Sequence, residues 1–264
     1  SWDEAFDETA RRLSEIQSKY GRDAVAVYQG NPTVHNLGTM LNSRDLLKAL
    51  GTKNNYSATS ADQLPHHFAS WAMLGHPFLI PIPDIDRTEY FLILGANPIA
   101  SNGSLMTSPD IINRMSDIKK RGGKVVLIDP RRTETTRVAD EHFFIKPSTD
   151  AILLLSMVRI LFREGLVELG SLGGFTDGVE TLRSVSADFS PERAEEITGI
   201  PAAEIVRLTR EFATAESAVC YGRIGLSTQA FGGLCQWLIN AINILTGNFD
   251  RAGGAMFTAP VFDL

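Results

Sequence analysis

Residues 89–104 read EYFLILGANPIASNGS, and residues 124–150 read KVVLIDPRRTETTRVADEHFFIKPSTD. Each stretch opens with an apolar run typical of a buried strand, and each run ends in a polar turn that contains glycine or proline. Strands of this kind, separated by a helix, form parallel sheets whose carboxyl edge binds nucleotides. The two stretches therefore predict a doubly wound α/β sheet with a ligand crevice at that edge.

The composition of the 264-residue chain narrows the class of protein. A hydrophobic content of 44% with 21% charged residues is ordinary for a globular protein. The net charge of −6 argues against a nucleic-acid partner, because phosphate binding is driven by clustered Lys and Arg. No apolar run reaches the roughly 18 residues that a membrane-spanning helix needs. The sequence leaves the localisation unknown, with the cytoplasm slightly favoured.

Strands alternate with helices along the whole chain, which predicts mostly parallel sheets with helices on both faces. The strand-loop-helix pattern of the first fifty residues returns near the end of the chain. We therefore predict an α/β protein with two interleaved doubly wound sheets. Residues 1–54 plus 216–264 would form a discontinuous domain, and residues 55–215 an inserted Rossmann-like domain.

The turn after the first strand offers groups for a phosphate. Gly95 lets the backbone approach a ligand, Asn97 can hydrogen-bond to it, Pro98 fixes the turn, and Ser101 adds a donor. Backbone amides in such a loop suit phosphate oxygens. The same Gly-x-Asn-Pro turn could also be purely structural.

Two further turns carry carboxylates. Asp129 ends a strand, where a carboxylate commonly accepts from ribose hydroxyls, and Arg131 could bind phosphate or stack on a base. Alternatively, both belong to a solvated turn. Asp150 either helps cap a helix or accepts the N1–H and N2–H groups of guanine. Because the Gly-x-Gly-x-x-Gly motif is missing, a nicotinamide-dependent dehydrogenase is the weaker alternative.

The histidines and cysteines show no metal-binding pattern. The five histidines form neither a His-x-x-x-His nor a mixed Cys/His motif. Cys220 and Cys235 form no Cys-x-x-Cys pair, so we expect two buried thiols.

Taken together, these segments resemble the molybdopterin oxidoreductase family, which includes formate dehydrogenases, nitrate reductases and dimethyl sulfoxide reductase. The resemblance extends over nearly the whole chain. It rests on the order of several short motifs: LGANPIAS at 94–101, IDPRRTET at 128–135, PSTD at 147–150, YGRIGLSTQ at 221–229 and LTGN at 245–248.

The resemblance implies a molybdenum or tungsten bis(molybdopterin guanine dinucleotide) cofactor, with one dinucleotide held by each domain. For one dinucleotide it implies contacts of the phosphate and pterin side with Gly95, Asn97, Pro98 and Ser101, and contacts of the nucleoside with Asp129, Arg131 and Thr133. The guanine end would lie at Ser148, Thr149 and Asp150. The other dinucleotide would contact Ile224, Gly225 and Thr228. Many relatives carry Gln at the place of Thr228, whereas here Gln229 stands one place later.

The resemblance places the side-chain ligand of the metal in residues 54–67, NNYSATSADQLPHH, where relatives carry cysteine, selenocysteine, serine or aspartate. Asp62 is the candidate, because a hard carboxylate suits an oxidised molybdenum centre. Ser60 or Gln63 could occupy the position instead, and Asp62 could simply cap the following helix. His66 or His67 would then transfer protons near the metal.

The expected function is two-electron redox chemistry or oxygen-atom transfer on a small substrate by a longer parent enzyme. The rest of that chain would supply an amino-terminal iron-sulfur segment and a carboxy-terminal domain, and its electron-transfer partner is unknown. We expect the isolated segment to lack an iron-sulfur cluster, to be free of cofactor and to be inactive. The alternative is a non-catalytic guanine-nucleotide-binding or scaffold module that has lost the metal site.

Overall fold

The computed structural model describes residues 1–30, 33, 35–103 and 105–259. The chain divides into two compact units, Ser1–Ser60 and Ala61–Leu264. In the part of the chain that the structure describes, no helix is both long and apolar enough to cross a membrane.

The first unit combines two helices with two short strands. Its elements are α1 (Trp2–Tyr20), a 3-10 turn (Arg22–Ala24), β1 (Val27–Gln29), α2 (Leu37–Leu50) and β2 (Asn55–Ser57). Ser1 begins α1 as a capping box, since its hydroxyl accepts from Glu4 N while the Glu4 side chain bonds the Ser1 backbone. The helix α2 ends at Gly51, which adopts the left-handed conformation.

Strand β2 lies in residues 51–65, a polar stretch whose composition is typical of a loop. It runs parallel to β1, with Val27 opposite Asn55 and Gln29 opposite Ser57. All three residues of β2 are exposed, so the strand carries no apolar alternation that sequence reasoning could detect. The strand pairs with β1 through backbone hydrogen bonds, and the pattern of apolar side chains does not predict such bonds.

The second unit is built on a parallel sheet of four strands in the order β6-β5-β4-β7. These strands are β4 (Tyr90–Leu94), β5 (Lys124–Ile128), β6 (Glu141–Phe143) and β7 (Ala218–Gly222). A short antiparallel pair, β3 (Ile82–Pro83) with β8 (Ala255–Met256), accompanies the sheet. Every residue of β4 and β7 is buried, as expected for strands covered on both faces.

Helices precede, connect and follow these strands. They are α3 (Thr59–Asp62), α4 (Leu64–Leu74), α5 (Pro98–Ser101), α6 (Ile111–Lys120), α7 (Asp150–Arg163), α8 (Val179–Ser186), α9 (Pro191–Thr198), α10 (Ala202–Thr214), α11 (Ile224–Ser227) and α12 (Gly232–Leu245), with 3-10 turns at Glu134–Arg137 and Gly170–Gly174. Helices α7, α9 and α10 begin at Asp150, Pro191 and Ala202.

Two hydrophobic cores cover the two faces of the sheet. Leu92 and Leu94 belong to the core that contains buried residues of α7, α10 and α12. Phe91 and Ile93 belong to the other core, together with buried residues of α6. Alternate residues of a strand point to opposite faces, so helices cover the sheet on both sides. The mixed α/β fold with parallel sheets is therefore confirmed.

The division into units differs from the predicted domains. Strand β7 pairs with β4 along its whole length, from Tyr90 opposite Ala218 to Leu94 opposite Gly222. Residues 216–264 therefore belong to the unit that contains residues 61–215, and not to a domain with residues 1–54. The physical reason is that β7 completes the central sheet, and its apolar residues contribute to the hydrophobic cores on both faces.

Candidate functional site

The four parallel strands bring the predicted site residues to one edge of the sheet. Strands β4, β5, β6 and β7 end at Leu94, Ile128, Phe143 and Gly222, and the loops with the sequence motifs follow directly. The chain leaves β4 towards the face covered by α6, whereas it leaves β7 towards the face covered by α12. A crevice opens where neighbouring connections diverge in this way, and open α/β sheets bind ligands there.

Two glycines meet at this divergence. The Gly225 amide donates to the Gly95 carbonyl over 2.9 Å. A Cβ atom at Gly225 would lie 2.6 Å from that carbonyl oxygen, and a Cβ atom at Gly95 would lie 2.8 Å from the Leu226 amide nitrogen. Gly95 also has a φ of +53°, which other residues seldom adopt. The contact is backbone against backbone and leaves no room for a side chain.

Asn97 joins the loop after β4 to the loop after β5. Its amide nitrogen donates to Glu134 Oε2 over 2.6 Å, and Thr135 Oγ1 donates to its amide oxygen over 2.8 Å. The Asn97 hydrogen bond is the main reason why the pKa of Glu134 lies below its ordinary value. Asn97 thus fixes the positions of two loops. Next to it, Pro98 begins α5 and is buried, while Ser101 is exposed.

Asp129 and Thr133 line the end of β5. Asp129 Oδ1 accepts from the Arg131 amide over 2.8 Å, and burial raises the pKa of this carboxyl. The Arg131 side chain is exposed, with Nη2 3.9 Å from Glu134 Oε2. Thr133 is buried, and its hydroxyl has no hydrogen-bond partner within the described ranges. An unpaired buried hydroxyl is costly, so this one can accept or donate to a ligand.

Asp150 is the most distinctive group at this edge. Only 3% of the residue is exposed, and its Oδ2 atom is without a hydrogen-bond partner among the residues the structure covers. The pKa of Asp150 is raised to about 6, chiefly by burial and to a smaller extent by the charge of Asp129, a nearby carboxylate. Above that pH the carboxylate is ionised and offers a free acceptor oxygen.

The turn before Asp150 is unusual in conformation. Ser148 is exposed and has a φ of +67°, which is uncommon outside glycine. Thr149 is half-buried, and its hydroxyl donates to the Lys146 carbonyl over 2.6 Å, so it does not cap α7. These contacts hold the chain in the bend that leads into the helix.

The loop after β7 reaches across the sheet. The Gln229 side chain accepts from the Ser148 amide and donates to the Gly225 carbonyl. Strands β6 and β7 lie at opposite edges of the sheet, so Gln229 links the loops that follow the two outer strands. Ile224 and Thr228 are exposed, and the Thr228 hydroxyl donates to the Ile224 carbonyl over 2.8 Å.

Sequence reasoning gave Gln229 no contact of its own, although it is the residue that joins these loops. The only signal was its position, one place after the Gln of many relatives. Four loops thus meet at one edge, and they carry the predicted residues Gly95, Asn97, Pro98, Ser101, Asp129, Arg131, Thr133, Ser148, Thr149, Asp150, Ile224, Gly225 and Thr228.

Asp62 is paired with an arginine. Its Oδ1 lies 3.3 Å from Arg223 Nη2, and Arg223 Nη1 donates to Gln63 Oε1 over 3.3 Å. The residue that caps α4 is Gln63, so Asp62 does not have the capping role. Ser60 is exposed. Within the described ranges, no three His, Cys, Asp or Glu side chains are grouped to hold a metal ion. A metal that takes a single side-chain ligand from this chain would not require such a group, so the role of Asp62 as that ligand stays a prediction.

His66 is buried and fully hydrogen-bonded. Its Nε2 lies 3.1 Å from the Gly222 carbonyl oxygen, and Ser227 Oγ lies 3.5 Å from its Nδ1. Gln236 donates to Ser227 Oγ over 3.1 Å. Since a carbonyl can only accept, Nε2 carries a proton. The pKa of His66 is lowered to about 4, chiefly by burial and also by the charge of Arg223, so the ring is neutral near pH 7.

His67 is placed differently from its neighbour. Its Nδ1 lies 2.8 Å from the Pro77 carbonyl oxygen, and its ring is edge-on to Phe78. Both histidines therefore have structural partners, and His66 braces the loop that carries Gly225. A catalytic role for either residue remains a prediction.

The loops after β4, β5, β6 and β7 converge at the carboxyl edge of an open α/β sheet, the position at which sheets of this kind bind ligands. A family model described as molybdopterin oxidoreductase matches residues 1–259. The chain therefore belongs to the molybdopterin oxidoreductase family, as the sequence motifs predicted.

Individual relatives agree with this assignment. Formate dehydrogenase H of Escherichia coli (strain K12) is 30% identical over 253 residues, which cover 95% of this chain and 34% of that protein. The periplasmic nitrate reductase of Desulfovibrio desulfuricans is 25% identical, with 98% of this chain and 35% of that protein covered. The chain thus spans about a third of the length of the curated relatives it matches.

A solved structure shows the same fold. Acetylene hydratase from Pelobacter acetylenicus matches with a TM-score of 0.75 and 25% sequence identity. The match covers 98% of this chain and 34% of that chain.

Proposed function

We propose that this chain is the central cofactor-binding part of a longer oxidoreductase that uses molybdenum or tungsten bis(molybdopterin guanine dinucleotide). The observation that carries the proposal is the Asp150 carboxylate, which is buried beside Asp129 and has an Oδ2 atom unpartnered in the described part of the chain. A buried carboxylate with an unpaired acceptor oxygen suits the N1–H and N2–H donors of guanine.

The residues at the sheet edge fit a guanine dinucleotide in several ways. The Gly95–Gly225 contact holds the loops after β4 and β7 together at the divergence of two connections, where open α/β sheets bind their ligands. Asp129 is available to ribose hydroxyls, and the unpaired Thr133 hydroxyl adds a further polar group. Phosphate, sugar and base would then lie over the ends of β4, β5 and β6 in turn.

When bound, the metal and its pterins would supply two-electron redox or oxygen-atom-transfer chemistry on a small substrate. The residues of this chain would bind and orient the group. Asp150 would hold the guanine, Asp129 the ribose, and Gln229 would keep the loops after β6 and β7 together. Asp62 would be the side-chain ligand of the metal, once released from Arg223.

Nucleotide titration tests the guanine site directly. The 264-residue chain is titrated with guanosine diphosphate (GDP) and adenosine diphosphate (ADP) in a calorimeter at about pH 7.5, where Asp150 is ionised. We expect GDP to bind more tightly than ADP, because adenine has no N1–H donor. Asp150→Asn should weaken GDP binding by about tenfold or more and abolish the preference for guanine. Equal binding of the two nucleotides by the unaltered chain would refute the site.

The alternative is a non-catalytic guanine-nucleotide-binding or scaffold module that has lost the metal site, in which Asp62 would remain beside Arg223. Metal and pterin analysis of the full-length parent separates the two functions. Stoichiometric molybdenum or tungsten with bound pterin supports the oxidoreductase, whereas GDP binding without metal supports the scaffold. We also predict that the isolated chain is inactive and purifies without cofactor.

A further inference from the structure

An aromatic side chain stands at the predicted base-binding end of the sheet edge, and the sequence motifs did not single it out. Phe144 follows the last residue of β6, and its side chain is exposed, with a relative exposure of 55%. Single exposed apolar residues are common on proteins and need no explanation by themselves. Phe144 is a candidate for ligand binding because of its position relative to Asp129 and Asp150.

The register of the sheet places Phe144 beside Asp129. Leu127 pairs with His142 and Ile128 with Phe143, so the next row brings Asp129 level with Phe144. The Asp129 amide donates to the Phe143 carbonyl over 3.1 Å, which continues the ladder into that row. The Phe144 ring is therefore carried at the end of the strand next to the carboxylate that suits a ribose.

His142 holds the Phe144 ring in place. The two residues lie on the same side of the strand, and their ring centroids are 4.5 Å apart with an interplanar angle of 67°. His142 Nε2 also lies 3.1 Å from the Asp129 carbonyl oxygen. The histidine thus contacts the ring edge-on and ties it to the end of β5, while more than half of Phe144 stays open to solvent.

We propose that Phe144 stacks on the purine base whose hydrogen-bonding edge Asp150 recognises. The inference rests on the proposed guanine site and adds a residue to it. A ring beside a ribose-binding carboxylate is close to the base, since the base is joined directly to the ribose. The charge of Asp129 also contributes to the raised pKa of Asp150, in keeping with two carboxylates at the same edge of the sheet.

Stacking on Phe144 and hydrogen bonding to Asp150 would contribute differently to nucleotide recognition. Every nucleobase has an aromatic face, so stacking strengthens binding without selecting the base, and it contributes a factor of about 5 to 150 in affinity. Hydrogen bonds to the base edge select guanine. Phe144 would therefore set how tightly any purine nucleotide binds, and Asp150 would set which purine is preferred.

Calorimetric titration of the 264-residue chain with GDP, inosine diphosphate and ADP separates these roles. We expect Phe144→Ala to weaken binding of all three nucleotides by the same factor, about 5- to 150-fold, with the preference for guanine unchanged. Phe144→Trp should keep or improve affinity. Phe175→Ala removes another exposed phenylalanine ring, with 75% exposure, and should change nothing. Asp150→Asn should lower GDP affinity selectively.

A spectroscopic measurement supplies an independent readout. Stacking on Phe144 should shift the proton NMR signal of guanine H8 upfield in the saturated chain, and Phe144→Ala should remove the shift. If Phe144→Ala binds GDP as tightly as the unaltered chain, the stacking inference is wrong while the guanine site stands. If the unaltered chain binds no GDP, the guanine site fails and the inference fails with it.

Discussion

The substitution Asp150→Asn should remove one defined contribution to the pH dependence of stability. The folded-state pKa of Asp150 is raised to about 6 from an ordinary value of 3.8, chiefly because the carboxyl is buried. The folded protein therefore holds this proton more tightly than the unfolded chain does. The contribution of Asp150 to the free energy of unfolding should fall as the pH rises through about 4 to about 6, by about 3 kcal/mol when the carboxyl is fully ionised.

The assay is urea denaturation of the chain and of Asp150→Asn, at about pH 4 and about pH 8. Trp71 and Trp237 both lie in the unit that contains Asp150, so their fluorescence reports its unfolding. The asparagine cannot ionise, and the variant should lose the contribution of about 3 kcal/mol to the pH dependence. Because the absolute effect of the amide depends on its hydrogen bonds, the comparison uses the difference between the two pH values.

A matched control and a ligand effect complete the test. Asp177→Asn changes an exposed carboxyl of the same unit and should leave the pH dependence unaltered. In the unaltered chain, GDP affinity should fall by up to about tenfold per pH unit below about pH 6, since guanine needs the ionised carboxylate. Parallel pH profiles for the chain and Asp150→Asn would refute the reasoning, because Asp150 would then titrate alike in both states.

Two further substitutions test the loops at the sheet edge. Gly225→Ala should destabilise the chain by about 1 to 3 kcal/mol, since the new Cβ atom would lie 2.6 Å from the Gly95 carbonyl oxygen; urea denaturation measures the loss, and an unchanged midpoint would contradict the close contact. Thr133→Val replaces the buried hydroxyl that has no partner in the described residues, so stability should hold or rise by about 1 kcal/mol, whereas a clear loss would reveal a hidden hydrogen bond.

The central sheet was predictable because its strands carry strong local signals. Residues 90–94 and 124–128 are apolar runs that end in turns, and both form buried or nearly buried strands. Parallel strands end at a common edge, so the meeting of the loops at Asp129 and Asp150 followed from the strand assignments. The family resemblance added the identity of the ligand that such an edge would hold.

The remaining features depend on partners that are distant in sequence. Strand β2 is polar and exposed, and it exists through its pairing with β1. The placement of residues 216–264 is decided by the match of β7 to β4, which a local pattern of strand and helix does not encode. Asn97 has the residue type of a ligand contact, yet it joins two loops because Glu134 and Thr135 come within hydrogen-bonding distance.

Strand β7 is synthesised long after its partner β4, and this determines the order in which the fold can form during translation. Glu89, just before β4, donates its amide to the hydroxyl of Ser217, which lies 128 positions further along the chain. Strands β4 and β5 can pair as soon as residue 128 is synthesised, but one side of β4 then stays open until β7 emerges. An apolar strand with an unpaired side is prone to aggregation. Nascent chains that stall before Ala218 should therefore depend on chaperones more than chains that stall after Gly222.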